Sequence, residues 1–219
     1  MSQEMIQLLI QGVGETLYMT IVSTLIAYVF GIPLGVLMYI TDSKGICKNK
    51  VVNFVVGFII NSIRSVPFLI LLVAILPFTR WIVGTTIGST ATIVPLVVAA
   101  IPFIARLVES SLKEVDAGVI EAAKAMGSTT SQIIFKVLIP EAKPSLLVGG
   151  TISIATILGY SAMAGFVGGG GLGAIAINYG FYRYKTEMMI VTVVLLVFIV
   201  QIFQEVGARI VNNSNFALE

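Results

Sequence analysis

The chain has 219 residues, of which 57% are hydrophobic and only 11% are charged, and its formal net charge is +2. A soluble domain of this size could not bury so much apolar surface, whereas a disordered chain would be more polar and more charged. The composition therefore indicates a membrane protein, in which four to six helices of about 20 residues each would occupy over half of the chain.

Residue counts exclude several chemistries. Histidine is absent, which removes histidine-based triads, HExxH zinc sites and histidine proton relays. Cys47 is the only cysteine, so an intrachain disulfide and a CxxC redox or zinc motif are impossible. The small net charge does not favour nucleic acid as a partner. We therefore expect no catalytic residue and no metal site in this chain.

Five apolar stretches predict an all-α, polytopic fold with five transmembrane helices in a single domain, residues 1–211. Residues 1–15 are expected to form a short amphipathic lead-in at the membrane interface, and residues 212–219 a polar tail. Gly31 and Gly35 match the GxxxG pattern of close helix packing, which is also common by chance in glycine-rich spans. The predicted spans are residues 16–41, 51–79, 86–107, 146–167 and 187–209.

The placement of lysine and arginine predicts which side each end occupies. With the N-terminus outside, nine of these residues lie inside, three lie outside (Arg80, Arg183 and Lys185) and Arg64 lies within a span. Cytoplasmic loops carry an excess of positive charge. The sequence therefore predicts an N-out, C-in topology that puts the charged segment 108–145 in the cytoplasm.

This charged segment is predicted to form two short helices joined by a tight turn. Asp116 can cap the first helix, and Gly127 is a typical left-handed stop. Thr129 and Gln132 match a capping box for the second helix, and Pro140 is expected to end it. The small side chains of this elbow would let another protein pack closely, although an ordinary amphipathic connector is the alternative interpretation.

The elbow resembles the EAA signature of ABC importer permeases. Its spacing matches throughout, and the two departures, Val137 and Ile139, are conservative in volume. The resemblance implies the fold of a type I ABC importer permease, with this segment as the coupling helix that docks on an ATP-hydrolysing subunit. The residues that carry the signature, and the coupling role it implies, are Glu121, Ala122, Ala123, Gly127 and Pro140.

Two further segments, residues 62–68 and residues 159–173, resemble methionine-importer permeases, and the similarity covers roughly residues 5–210. The resemblance implies that two copies form the membrane domain in the lipid of the bacterial inner membrane. It also implies two cytoplasmic ATP-binding cassette subunits and an extracytoplasmic methionine-binding lipoprotein. Methionine would cross by alternating access driven by ATP hydrolysis, with ATP and magnesium bound by the partner ATPase and no cofactor in this chain.

Four polar residues and one methionine within the predicted spans are candidates for the translocation path. A charge such as Arg64 at bilayer depth is costly unless it faces water or protein. Arg64 has an equally plausible structural role, bonded to carbonyls freed near Pro67 or extended to the interface. A methionine on a membrane helix usually serves packing, although its polarizable sulfur suits a thioether ligand. The candidates are Ser62, Arg64, Tyr160, Ser161 and Met163.

A glycine-rich segment matches the GxGxxG pattern at Gly168, Gly170 and Gly173. No alternating strand and helix unit surrounds it, so dinucleotide binding is rejected. We expect a flexible external loop or a re-entrant turn on the docking face for the binding protein. No Gly-Lys-Ser/Thr sequence occurs, so this chain is not the ATPase.

Other function classes remain as alternatives. Related permeases that have the same elbow transport other amino acids or small solutes. An ion-coupled carrier or channel is less favoured, because the spans lack the intramembrane carboxylates that ion coupling usually needs. A small membrane enzyme is disfavoured because acid–base groups are missing.

Overall fold

The computed structural model describes residues 3–216, which form helices and turns without a β-strand in that range. Two π-helical segments, Ile134–Leu138 and Ala176–Phe181, and a 3-10 turn, Gly165–Val167, connect some of the helices. The α-helices are α1 (Gln3–Thr41), α2 (Lys50–Ser65), α3 (Phe68–Ala74), α4 (Leu76–Val83), α5 (Ser89–Lys113), α6 (Ala117–Ala125), α7 (Thr130–Ile133), α8 (Ile139–Glu141), α9 (Lys143–Ala164), α10 (Gly171–Ile175) and α11 (Thr186–Phe216).

Four helical segments of the described chain are long and apolar enough to cross a membrane, and a fifth crossing arises if α2 and α3 count as one bent span. The predicted all-α polytopic fold is confirmed. The four segments are Gln3–Thr41, Ser89–Lys113, Lys143–Phe181 and Thr186–Asn213.

The first helix begins much earlier than predicted. Residues 3–15 continue the same helix as the first span, so the separate interfacial lead-in is wrong for these residues, while residues 1–2 lie outside the described range. Leu9 and Gly12 are buried, and a Cβ on Gly12 would lie 3.4 Å from Leu172 Cδ2. Packing against α10 therefore keeps this segment in line with α1. At the other end, α11 extends into the predicted polar tail.

The second predicted span is broken at Val66 and Pro67. Proline disfavours helical geometry in the residue before it, and Val66 is extended, with φ −83° and ψ 126°. As a result, the helical path bends by 102° between α2 and α3. The last residues of the predicted span belong to a separate helix, α4.

The core is organised around the contact between α1 and α5. A Cβ on Gly35 would lie 2.6 Å from both Ala105 O and Val108 Cβ, and one on Gly31 would lie 2.7 Å from Ile104 Cγ2. Only glycine lets the two backbones approach this closely, so the packing role of the GxxxG pattern is confirmed. The same core continues past the end of α5 into the elbow, because Leu112, Ile120 and Ala123 share one hydrophobic cluster.

Candidate coupling and translocation sites

The elbow forms as the sequence predicts. Asp116 Oδ1 accepts a hydrogen bond from Gly118 N at 2.6 Å and caps α6. Gly127 has a φ of +79°, the left-handed conformation that favours glycine. The Thr129 side chain and the Gln132 side chain then form a complete capping box at the start of α7. These local bonds make the turn a rigid structural unit.

Helical periodicity divides the signature residues between two faces of α6. Glu121 and Ala122 are exposed and can contact a partner. Ala123 is only 3% exposed and packs with Ile120 in the core. The expectation that Ala123 belongs to a partner-facing surface is therefore wrong for this chain in isolation, because residues 120 and 123 lie three positions apart on the inner face.

Pro140 does not end the second helix of the elbow. The helical path runs through Ile134–Leu138 and on to Glu141, with Pro140 exposed in the first turn of α8. The segment before the proline is a π turn, in which Ile139 N donates to Ile134 O. A proline lacks an N–H and its ring clashes with the carbonyl four residues earlier, and the wider turn accommodates that ring.

Met126, at the end of α6, is a candidate contact residue that the sequence analysis did not single out. Its side chain is 79% exposed, next to the turn at Gly127. Methionine adapts its shape to irregular protein surfaces. The only signal in the sequence was an apolar residue beside a predicted helix stop, which is too weak to identify it.

Two of the path candidates lie on the exposed end of α2. Ser62 and Arg64 are both exposed, immediately before the bend at Pro67. Within the described residues, Arg64 has no hydrogen-bond or ion-pair partner, so the carbonyl-bonded structural role considered for it is not observed. An arginine in a membrane-spanning helix is expected to face water or a partner.

The other three path candidates lie at the end of α9 in different environments. Tyr160 is half-buried and stacks on Phe68 of α3, with ring centroids 4.5 Å apart. Ser161 is buried and donates to Leu158 O at 2.8 Å. Met163 is 41% exposed. The stacked rings therefore connect α3, which follows the bend after Arg64, to α9. Ser161 faces the interior of the chain.

The glycine-rich segment is a tightly held turn rather than a flexible loop. Gly168 and Gly170 both have a φ of +80°. Glu15 Oε2 accepts from Gly171 N at 2.7 Å, and Thr16 Oγ1 accepts from Leu172 N at 2.9 Å.

The turn is also tied to the start of α5. Gly88 N donates to Gly168 O at 2.9 Å, and Thr92 Oγ1 donates to Gly169 O at 3.1 Å. The side chains of Glu15 and Thr92 were not predicted to hold this turn, because each is distant from it in the sequence.

An ion pair joins the end of α1 to the end of α5. Lys113 Nζ lies 2.9 Å from Asp42 Oδ2, and Ser43 Oγ donates to Asp42 Oδ1 at 2.9 Å. Hydrogen bonds from Lys113 and then Ser43 lower the pKa of the Asp42 carboxyl to about 2. Asp42 is therefore charged throughout the physiological pH range.

Known proteins similar to this chain share most of its length. The family "Binding-protein-dependent transport system inner membrane component" matches residues 9–211. The probable D-methionine transport system permease protein of Vibrio cholerae is 52% identical over 204 residues, covering 93% of this chain and 91% of that protein. The D-methionine transport system permease protein of Escherichia coli K12 is 53% identical over 165 residues, covering 75% of this chain and 76% of that protein.

Solved structures show the same arrangement of helices. A chain of the MetNI methionine ABC transporter in an inward-facing conformation has a TM-score of 0.96 and 51% identity, covering 98% of this chain and 99% of that one. An amino acid ABC transporter crystallised with histidines has a TM-score of 0.79 at 21% identity and covers 94% of each chain. At that identity the second likeness concerns the fold alone.

Proposed function

This chain belongs to the family of binding-protein-dependent transport system inner membrane components, and we propose that it is the membrane permease subunit of an ABC importer for methionine. The observation that carries the proposal is identity above 50% to named D-methionine permeases, over a fold that presents an exposed coupling elbow. The chain is a multi-pass protein of the bacterial inner membrane.

The energy for transport comes from a separate ATPase chain. The sequence contains no Gly-Lys-Ser/Thr phosphate-binding motif, whereas the similar solved structure is of an ABC transporter. We infer an assembly of two copies of this chain with two ATP-binding cassette subunits and an extracytoplasmic methionine-binding lipoprotein. ATP and magnesium would be held by the ATPase and not by this chain.

The elbow is suited to transmit movement because it is rigid and shares a core with α5. Ile120 and Ala123 anchor α6 in the hydrophobic cluster that contains Leu112. The exposed Glu121 and Ala122 remain available to the ATPase. Closure of the ATPase subunits would move the two elbows and rock the two permease copies between inward-open and outward-open states. This mechanism requires the N-out, C-in topology, which places the elbow in the cytoplasm.

The path for methionine is proposed to follow the exposed ends of α2 and α9. Ser62 and Arg64 supply polar contacts on one helix, and Tyr160 and Met163 supply aromatic and thioether contacts on the other. Ser161 lies buried next to Tyr160 and donates to Leu158 O of the same helix. Arg64 has no partner among the described residues and carries the charge that an amino acid carboxylate would seek.

Uptake of labelled methionine tests the substrate. A strain without its own methionine importer would be complemented with this permease, its ATPase and its binding protein. We expect labelled D- or L-methionine to accumulate, and excess unlabelled methionine to abolish that accumulation while other amino acids do not. Accumulation of a different amino acid, with none of methionine, would assign the permease to that other solute.

A further inference from the structure

Glu109 is a buried carboxylate held between two cations on the same helix. It is only 4% exposed. Arg106 Nη1 lies 2.6 Å from its Oε2 and Lys113 Nζ lies 2.8 Å from its Oε1. A buried charge without partners is strongly destabilising. The two cations therefore fix Glu109, and Glu109 in turn fixes the directions of both cationic side chains.

Each cation also reaches a different neighbouring element. Lys113 contacts Asp42, which directly follows α1. Arg106 Nη2 donates to Asn61 Oδ1 on α2 at 2.9 Å. The charge network, defined as Asp42, Lys113, Glu109, Arg106 and Asn61, thus connects three parts of the fold through one buried carboxylate.

One end of the charge network is fixed to the elbow. Lys113 is the last residue of α5, three positions before the residue that caps α6. The neighbouring Leu112 is buried in the same cluster as Ile120 of α6. A cleft of about 530 Å³ lies between the loop after α1 and α6, and both Lys113 and Glu121 line it. Movement of the elbow therefore reaches Lys113 through the short connection to Asp116 and through the packing of Leu112 against Ile120.

The other end is fixed to the helix that carries the path candidates. Asn61 immediately precedes Ser62 and is one helical turn from Arg64. The preceding residue, Ile60, is buried against Ala105, next to Arg106 on α5. The Asn61 to Arg106 bond is therefore the polar part of the contact between α2 and α5, adjacent to the bend at Pro67.

We propose that the charge network is the linkage through which movement of the elbow is passed to α2. This inference rests on the proposed function, since it assigns positioning residues for ATP-coupled transport. Glu109 holds Arg106 and Lys113 in one rigid group with the end of α5. Arg106 then pulls α2, and with it Ser62 and Arg64, through Asn61.

The variant Asn61→Ala tests the linkage, and Asn53→Ala is its matched control. Asn53 also lies on α2, but its amide donates to Met38 O at 2.8 Å and to Thr41 Oγ1 at 3.2 Å on α1. Both variants therefore remove an amide that links α2 to another helix, and only Asn61→Ala removes a contact with α5. In the complete complex, we expect Asn61→Ala to lower the methionine transported per ATP hydrolysed by about threefold, as for one solvent-exposed hydrogen bond to a charged group.

A conservative variant separates positioning from simple destabilisation. Asn61→Asp keeps an oxygen acceptor for Arg106 and should retain a transport ratio near that of the unmodified protein. Asn53→Ala should reduce thermal stability without changing the ratio. An unchanged ratio in Asn61→Ala, or equal losses in Asn61→Ala and Asn53→Ala, would overturn the proposal.

A distance measurement tests the linkage without relying on the substrate. A spin label at the exposed Val55 on α2, in a background with Cys47→Ser, reports the separation of the two copies in the assembled complex. We expect nucleotide to change this separation in the unmodified sequence and in Asn53→Ala, but not in Asn61→Ala. If the nucleotide-dependent change in separation persists in Asn61→Ala, the linkage is refuted. If the unmodified protein shows this change in separation but does not take up methionine, only the substrate assignment is contradicted.

Discussion

The Asp42 carboxyl makes one contact of this chain sensitive to acid. Its pKa is lowered to about 2, below the ordinary value of 3.8, so the ion pair with Lys113 favours the folded state most when Asp42 is charged. That stabilisation is complete above about pH 5. It is lost as the pH falls toward 2, because the folded state must then take up a proton.

Replacement of Asp42 by Asn should therefore lower the melting temperature of the purified chain at neutral pH. The difference from the unmodified sequence should shrink as the pH falls from about 5 toward 2. Thermal unfolding of both proteins in the same detergent, across this pH range, measures the effect. A difference that stays constant over the range would show that the ion pair does not contribute.

Single residues were predictable where a motif or a turn rule applies locally. Gly127 and the capping box at Thr129 follow from neighbouring residues, and both have the predicted geometry. The pairing of Glu109 with Arg106 and Lys113 has the local spacing of one helix face, but the burial of Glu109 could not be predicted, because it depends on how α5 packs against the rest of the chain. Ala123 was assigned to the wrong face because the signature gives spacing but not the direction in which each side chain points.

At the scale of elements, the packing of α1 on α5 depends on Gly35. Gly35→Ala would place a methyl group 2.6 Å from Ala105 O, and such overpacking typically costs about 1–3 kcal/mol. Gly14→Ala is the control on the same helix, since nothing lies within 4 Å of its Cβ position. We expect a lower melting temperature for Gly35→Ala and an unchanged or slightly higher one for Gly14→Ala; equal values would contradict the observed packing.

The turn between α6 and α7 depends on the left-handed backbone of Gly127. A side chain there meets no neighbouring atom within 4 Å, so the cost comes from the backbone alone and is about 1–2 kcal/mol for an ordinary L-residue. Gly127→Val should distort the elbow and reduce methionine uptake per ATP hydrolysed, whereas Gly127→Asn, which tolerates this conformation, should keep most of it. Uptake and ATP hydrolysis are measured together on the assembled complex. An unchanged uptake per ATP hydrolysed in Gly127→Val would count against a role of the elbow in coupling.

The approximate positions of the apolar helices were easier to predict than their ends and bends. Apolar runs identified each membrane-spanning region, because hydropathy is a property of local sequence. The 102° bend between α2 and α3 was missed, since a proline within a membrane helix can be tolerated without a break. The start of α1 was missed because the contact of Gly12 with α10 is distant in sequence.

At the scale of the whole molecule, the chain is a transport permease subunit, and the ATPase of such a transporter is a separate chain. The sequence predicted a partner ATPase through the resemblance of residues 121–140 to the EAA signature. The family match and the helix arrangement agree with that interpretation. How the two copies meet could not be deduced, because an exposed apolar face suits lipid and a second copy equally well.

ATP hydrolysis on a partner chain is expected to drive methionine through this permease. Proteoliposomes containing the complete complex, with the binding protein outside and ATP inside, allow uptake and hydrolysis to be measured together. We predict that labelled methionine accumulates only with hydrolysable ATP and that a non-hydrolysable analogue stops accumulation. Methionine entry at the same rate without ATP would contradict the claim and identify a passive channel or an ion-coupled carrier instead.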